Sequence, residues 1–297
     1  MSFSLAQHGR RVRPRVAAPG ELSAALDFCQ AQGANGVMAG ARIEILLRTP
    51  APMGEVWVLE RRGARPAGAH LRADHIEALA WAGGNLIPVG ADEVSGRAFG
   101  EMASARGARY HTVVGEATGV MAVWQVLEPI WQRPRSVRPN QPCMVALGPP
   151  LVEADTQVRP ASLRALDALV PACRAMFTEE LGFPPPGPEP AYRAHVAAQV
   201  GRGSILARLT RADGRVIFKA ELGSQCGSWV QVQGVWTDPV WRGQGIGKAG
   251  MAAVVAEAKR RGLVNVCLYV NDFNTPALAV YRAVGFAQVS TWATIMY

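Results

Sequence analysis

The sequence predicts an α/β protein with a mixed sheet, organised as two domains. Its 297 residues, 49% of them hydrophobic, are more than a single domain with one hydrophobic core usually contains, and two domains of about 150 residues each are expected. Segments typical of strands alternate with segments typical of helices along the chain. In addition, a strand-like run from Trp229 breaks at Asp238-Pro239 and leads through closely spaced glycines into a helix-like segment.

The first domain is predicted at residues 1–155. Turn residues, apolar runs and helical spacing define its elements. Residues 131–142 are rich in Arg, Pro and Gln and are predicted to be a loop, in which solvated arginines are favoured over an anion site. The predicted helices are 22–32, 91–106 and 117–130, and the predicted strands are 55–59, 66–70, 86–89, 110–114 and 143–147, with a further short apolar run at 43–47.

The second domain is predicted at residues 156–297, after a linker that begins at Gly148-Pro149-Pro150. Ser162 is expected to cap a helix that Pro171 breaks or kinks, so that a second helix opens there. Asp213-Gly214 indicates a hairpin. Further helices are expected at 192–200, 248–261 and 276–284, and strands at 205–209, 216–222, 229–237, 263–270 and 286–296, the last as one or two strands.

The glycines at 243, 245 and 247 lie between a predicted strand and a predicted helix. Backbone N–H groups at a helix N-terminus, together with the helix dipole, favour a phosphate group. The order Arg-Gly-x-Gly-x-Gly does not fit a dinucleotide fingerprint, and Lys248 has neither the spacing nor the following Ser or Thr of a Walker loop. The loop therefore predicts phosphate binding of another kind.

Residues 156–297 resemble the GNAT superfamily of acyl-CoA-dependent N-acyltransferases. The loop Arg242-Gly-Gln-Gly-Ile-Gly247 resembles the superfamily's pyrophosphate loop. The segment from Asn271 through Ala277 and Tyr281 to Gly285-Phe286 resembles its second motif. The whole chain is also similar to a two-domain GNAT subfamily with an uncharacterised N-terminal domain. A C-terminal GNAT fold preceded by a second α/β domain is expected.

The resemblance implies acetyl-CoA as co-substrate and an amine as acceptor, with no metal. The central strand would separate from its neighbour, and the pantetheine arm would pair with its backbone, where an N–H polarises the acetyl carbonyl. The residues implied to bind acetyl-CoA are Val235, Trp236, Thr237, Arg242, Gly243, Gln244, Gly245, Ile246, Gly247 and Asn274.

Tyr281 matches the tyrosine that protonates the departing thiolate in many GNAT enzymes, and this catalytic role is favoured over that of a core tyrosine. Asn274 is either a cofactor contact or only a helix cap. The general base is open: Trp229 stands near the position where many relatives carry a glutamate. The carboxylates that remain as candidates are Glu179, Glu180, Glu221 and Asp272, with a water chain as the alternative.

Gln231 and Gln233 share one face of the predicted central strand. Buried glutamines need hydrogen-bond partners, so these residues either line a cleft or lie on a partly solvated face. The first domain has a GNAT-like order of predicted strands and helices, but its residues 86–90 are not followed by an Arg-Gly-x-Gly loop. We therefore expect that domain to be a degenerate GNAT-like half that has lost cofactor binding.

Composition restricts the other possibilities. The net charge of +8 comes from arginines spread along the chain with only three lysines, which disfavours nucleic-acid binding. The five cysteines form no Cys-x-x-Cys pair, which disfavours disulfides and zinc. No apolar stretch reaches membrane-spanning length, and residues 1–16 lack the apolar core of a signal peptide, so a cytoplasmic location is expected.

Two hypotheses about function follow. The first is acetyl transfer from acetyl-CoA to a primary amine, either of a small molecule or of a protein, by direct attack. The second is an acyl-CoA-binding sensor or scaffold without efficient chemistry, motivated by the missing strand glutamate.

Overall fold

The computed structural model describes residues 13–49, 54–107 and 110–297. Contacts divide this part of the chain into two units. The first unit contains the described residues up to Asn140 together with Thr291–Tyr297, and the second contains Gln141–Ser290. The predicted boundary near residue 155 divides the chain differently and stays a prediction. The expectation for residues 1–16 lies largely outside the described residues.

The first unit is a mixed sheet with helices. Its strands lie in the order β1, β2, β3, β4, β5 and then the end of β12 (Phe286–Met296), with β4 and β5 parallel and the other neighbours antiparallel. The elements are β1 (Arg15–Val16), α1 (Leu22–Ala31), α2 (Val37–Arg48), β2 (Gly54–Glu60), β3 (Ile76–Gly83), β4 (Asn85–Val89), α3 (Glu93–Ala105), β5 (Thr112–Glu116) and α4 (Ala117–Leu127).

Glycines allow α3 and α4 to pack closely in this unit. A Cβ atom added at Gly96 would lie 2.7 Å from the Cβ of Ala122, and one at Gly100 would lie 2.8 Å from the Cβ of Val126. Phe99 and Leu127 of these helices are fully buried in the same core as Trp57. This small-residue contact explains why the helices are rich in Gly and Ala.

The second unit holds the remaining elements. Its strand order is β6, β11, β10, β9, β8, β7, with β10 and β11 parallel and the others antiparallel. The elements are β6 (Ser136–Ala146, of which residues 141–146 belong here), β7 (Arg159–Pro160), α5 (Leu166–Leu181), α6 (Glu189–Gly201), β8 (Ile205–Leu209), β9 (Val216–Cys226), β10 (Trp229–Thr237), α7 (Ile246–Arg260), β11 (Asn265–Tyr269), α8 (Thr275–Val284) and β12 (Phe286–Met296).

Two separate apolar clusters cover the faces of this second sheet. Met251 and Val254 of α7 pack with Phe218 and Val230 of the strands. On the other face, α5 and α6 form a cluster with β8 and with Trp236. Since successive strand residues point to opposite faces, residues that alternate with the α7-facing positions lie under α5 and α6.

Several predicted elements need correction. Residues 66–70 are not a strand, and β2 pairs instead with β3, which was not predicted; Gly83 and Gly84 lie at the turn between β3 and β4. The apolar run 43–47 is part of helix α2. The predicted loop 131–142 already contains the start of β6. Pro171 does not break its helix, because α5 continues through it with one backbone N–H fewer.

Candidate active site

The second unit contains a cavity of about 970 Å³ between its strands and helices. Its wall is formed by β10 and β11, the glycine loop, the start of α8, and residues of α5 and α6. Cavities of this size are typical of binding sites for small molecules and cofactors. The predicted site residues that line it are Val235, Trp236, Thr237, Arg242, Gly243, Gly245, Gly247, Asn274 and Tyr281.

The central strand separates from its neighbour along the cavity. β10 pairs with β11 from Trp229, opposite Asn265, to Gln231, opposite Cys267. Within the described residues no further pair joins the two strands, although β10 continues beside β9 to Thr237. The backbone of residues 232–237 is therefore open on one side, as the resemblance implies, and an extended ligand can pair with it.

A β-bulge shapes the open part of β10. The register against β9 shifts between Gln233 and Trp236, and Gly234 lies at this shift with φ of +57°. A Cβ atom at position 234 would lie 2.8 Å from Oε1 of Glu221. Only glycine combines this backbone conformation with so close an approach. The bulge redirects the strand just before Val235 and Trp236.

The glycine loop ends at the N-terminus of α7. Gly243 and Gly245 have φ values of +76° and +80°, and Gly245 directly precedes the helix. Among the described residues no side chain caps this helix start. Gly245, Gly247 and Lys248 line the cavity, so the first turn of α7 lies at its wall, and N–H groups at a helix N-terminus favour anions.

Two predicted loop residues, Ile246 and Gln244, have side chains that are engaged elsewhere in the chain. Ile246 is buried in the core beneath α7, and the Gln244 amide donates to the carbonyl of Val240 at 3.3 Å. Neither side chain lines the cavity. Lys248 does line it, and sequence reasoning missed it as a binding residue because it was considered only as a Walker lysine.

Arg242 has two partners within the chain. Its Nε donates to the carbonyl of Thr237 at 2.9 Å, and its terminal nitrogen donates to Glu179 at 2.6 Å. The same carboxylate accepts from the indole N–H of Trp236 at 3.1 Å. Glu179 therefore connects α5 both to the central strand and to the glycine loop.

Tyr281 is buried in α8 with its ring 5.9 Å from that of Phe286. Burial, with a smaller contribution from the negative charge of Glu180, raises the pKa of Tyr281 above its ordinary value. The phenol therefore keeps its proton at neutral pH and is a hydrogen-bond donor at the cavity wall.

Asn274 caps α8, and its side-chain oxygen accepts from the N–H of Ala277 at 3.2 Å. It also lines the cavity. The cap is thus observed, whereas its contact with a cofactor stays a prediction.

The candidate carboxylates have different surroundings. Glu221 is buried and accepts from Lys219, from Gln199 at 3.0 Å and from Gln233 at 3.3 Å. Both oxygens of the Glu221 carboxylate are therefore occupied by side-chain donors. Glu180 lines the cavity, and Asp272 does not.

Gln231 is the most deeply buried polar residue of β10. It is 3% exposed, it lines the cavity, and its Oε1 has no hydrogen-bond partner among the described residues. Of the two predicted surroundings, the cleft is therefore the observed one for Gln231. Gln233 is more exposed and donates to Glu221.

The first unit has a different helix start after its strand β4. Asp92 precedes α3, and its carboxylate accepts from the N–H of Ser95 at 2.8 Å. The hydrogen bonds from Ser95 lower the pKa of Asp92. A negative charge thus takes the position where a phosphate would bind, in contrast to the start of α7.

The described residues lack the features of a metal site, a membrane-spanning helix or a disulfide. They contain no group of three or more His, Cys, Asp or Glu side chains arranged to hold a metal ion. None of their helices has the length and apolar character needed to cross a membrane. The five cysteines are buried and form no disulfide.

Two family models match the chain. Residues 175–286 match the acetyltransferase (GNAT) family, and residues 67–169 match a domain of unknown function, DUF4081. Mycothiol acetyltransferase of Nocardioides sp. is 31% identical over 107 residues, which cover 32% of this chain and 36% of that protein. This chain spans between 17% and 36% of the length of the curated relatives it matches.

Solved structures share the fold. A GCN5-related N-acetyltransferase from Sphaerobacter thermophilus has a TM-score of 0.58 at 19% identity, with 95% of both chains covered. A tandem GNAT protein from the clavulanic acid biosynthesis pathway has a TM-score of 0.54 at 14% identity, covering 96% of this chain and 98% of that one. The chain therefore contains an acetyltransferase domain of the GNAT family, preceded by a second domain within a fold shared with tandem GNAT proteins.

Proposed function

We propose that the chain is an acyl-CoA-dependent N-acyltransferase that moves an acetyl group from acetyl-CoA to a primary amine by direct attack. One observation carries this proposal: a single cavity is lined by the glycine loop, the open edge of β10 and Tyr281. The family model and the names of the relatives agree with acetyl transfer, and GNAT acetyltransferases use acetyl-CoA as co-substrate.

Binding of the donor follows from the backbone of the site. The N–H groups from Gly243 to Gly247 would hold the pyrophosphate at the start of α7, where Lys248 adds a positive charge. The open edge at Val235, Trp236 and Thr237 would pair with the amide groups of the pantetheine arm. Because these contacts use main-chain groups, the site needs small residues in the loop more than particular side chains.

The residues of the cavity also fit the chemistry. Acetyl-CoA supplies an acetyl group activated as a thioester. A backbone N–H near Val235 polarises the carbonyl while the amine nitrogen forms the new C–N bond and the C–S bond breaks. Tyr281 donates its proton to the departing thiolate, the nitrogen loses one proton to water, and the Tyr281 phenolate then regains a proton from solvent. Much of the acceleration comes from holding the two reactants together.

The proposal is tested with the purified full-length chain, acetyl-CoA and a panel of primary amines that includes phenethylamine, spermidine and a peptide with a free N-terminus. We expect release of coenzyme A to depend on the amine, and mass spectrometry to show the acetylated amine. Tight binding of acetyl-CoA without transfer to any amine would contradict the proposal.

The second hypothesis, an acyl-CoA sensor or scaffold, keeps one observation in its favour. The candidate base Glu221, on β9, is engaged by three donors. On the central strand, Trp229 stands where many relatives carry a glutamate. A sensor would bind acetyl-CoA with the same loop and release coenzyme A at a rate independent of amines. The same assay therefore separates the two.

A further inference from the structure

The carboxamide of Gln231 is an unusual feature of the cavity wall. It is 3% exposed, and its oxygen has no hydrogen-bond donor among the described residues. A buried polar atom without a partner is unfavourable, and an apolar side chain of similar size would be more stable at the same position. The group is thus suited to a ligand that brings its own donor.

The position of Gln231 on β10 relates it to the reacting end of the donor. Gln231 forms the last rung between β10 and β11, at the point where the two strands separate. The glycine loop follows the opposite end of β10, and both ends line the same cavity. A donor held at the loop and paired along Val235–Thr237 therefore extends its acyl end toward Gln231.

The neighbouring polar groups do not compete for this position. Gln199 and Gln233 donate to Glu221, whose charge Lys219 compensates from a fully buried position. Glu179 is likewise paired with Arg242.

The rest of the wall on the α5 and α6 side consists of Met176, Phe177, Leu181 and Tyr192, which are apolar or aromatic, together with Glu180 and His195. Its four apolar and aromatic side chains offer contacts to an apolar body.

We propose that Gln231 binds the acyl acceptor, its Oε1 accepting a hydrogen bond from the N–H of a primary amine carried on a largely apolar body. The inference rests on the proposed function and adds to it the residue that positions the amine and the class of the acceptor. Because a carboxamide does not titrate, Gln231 orients the nitrogen and takes no proton from it.

The test is direct binding of phenethylamine, measured by calorimetry on the full-length protein saturated with coenzyme A. We expect the wild type to bind it more tightly than spermidine, and Gln231→Leu to weaken binding about tenfold, as for the loss of one strong hydrogen bond. The melting temperature of Gln231→Leu should be unchanged or higher, since the substitution removes a buried unpaired oxygen. A purely structural role would instead lower it.

Gln225→Leu is the matched control, because Gln225 is exposed on the neighbouring strand β9 and does not line the cavity. Gln231→Met is the second variant if Gln231→Leu does not fold, since it keeps the length of the side chain without its oxygen. Wild-type affinity in both variants would overturn the role of Gln231. Preference of the wild type for spermidine, or binding of neither amine, would overturn the acceptor class. These results stand apart from the proposed function, which fails instead if acetyl-CoA is bound but no amine is acetylated.

Discussion

Lys219 and Glu221 form an ion pair inside the second unit, with side chains 0% and 7% exposed. Burial opposes the charge on Lys219, but the attraction and hydrogen bond of Glu221, together with those of Cys173, outweigh it, so that the pKa of Lys219 is raised. The pair lies beside Gly234, whose missing side chain leaves room for it at the bulge of β10. It thus supports the segment of strand that the donor would contact.

Glu221→Gln is expected to destabilise the protein by about 3–5 kcal/mol, because it leaves the ammonium of Lys219 buried without its counter-charge. Urea denaturation followed by circular dichroism measures the loss. The double variant Lys219→Met/Glu221→Leu is the control: it removes both charges and should recover most of the stability. A single variant as stable as the wild type would show that the pair is not needed for folding.

Tyr281→Phe is expected to lower the turnover number about a hundredfold or more while leaving the affinity for acetyl-CoA nearly unchanged, since only proton donation is lost. Stopped-flow assays of coenzyme A release and calorimetry with acetyl-CoA measure the two effects. Because the pKa of Tyr281 is raised above its ordinary value of 10.0, its ionisation should cause no loss of wild-type activity below that pH.

Tyr110→Phe, in the first unit, is the control for this substitution. Burial raises the pKa of Tyr110 as well, to about 12, but it lies in a separate apolar core. If Tyr281→Phe retained wild-type turnover at every pH, Tyr281 would be a core residue and the thiolate would take its proton from elsewhere.

The local motifs of the second domain could be predicted because each depends on neighbouring residues. The cap at Asn274, the helix end at Gly285 and the hairpin at Asp213-Gly214 need only a few adjacent side chains. The alternation of Gln231 and Gln233 likewise identified one face of β10. These features are decided by backbone conformation and capping, which are properties of short segments.

Long-range contacts could not be predicted in the same way. The engagement of Arg242 by Glu179 joins residues 63 positions apart, and the burial of Glu221 depends on Lys219 beneath it and Gln199 on α6. Strand β3 was missed, although its pairing with both β2 and β4 makes it a central strand. Each of these depends on which segments meet in the fold, and that information is not local.

Gly245→Ala tests whether the loop holds the donor. The φ of +80° at Gly245 disfavours any side chain, so the variant should be destabilised by about 1 kcal/mol and should bind acetyl-CoA at least several-fold more weakly. Calorimetry with acetyl-CoA and thermal unfolding give the two values.

Gly214→Ala is the matched control for the loop variant. Gly214 has a similar φ of +71°, and a Cβ atom there would also meet nothing within 4 Å, but it lies in the hairpin between β8 and β9. Both variants should lose similar stability, and only Gly245→Ala should lose affinity. Equal affinity in the two would argue that the pyrophosphate binds elsewhere.

Glu179→Gln is expected to strengthen acetyl-CoA binding, by about two- to fivefold. In the wild type the Glu179 carboxylate accepts from Arg242 at 2.6 Å and so competes with an anionic ligand for that guanidinium. Trp236 and Arg242 donate to different oxygens of Glu179, so glutamine can keep the hydrogen bond from Trp236 but carries no charge and no second oxygen to hold Arg242. Since both partners are close to half exposed, the gain in affinity corresponds to the loss of an exposed ion pair and should shrink at high salt.

Asp167→Asn is the control: it removes another exposed carboxylate of α5, one paired with Arg193, and should leave the affinity unchanged. Weaker binding by Glu179→Gln would instead mean that the charge of Glu179 is needed to hold the loop in place.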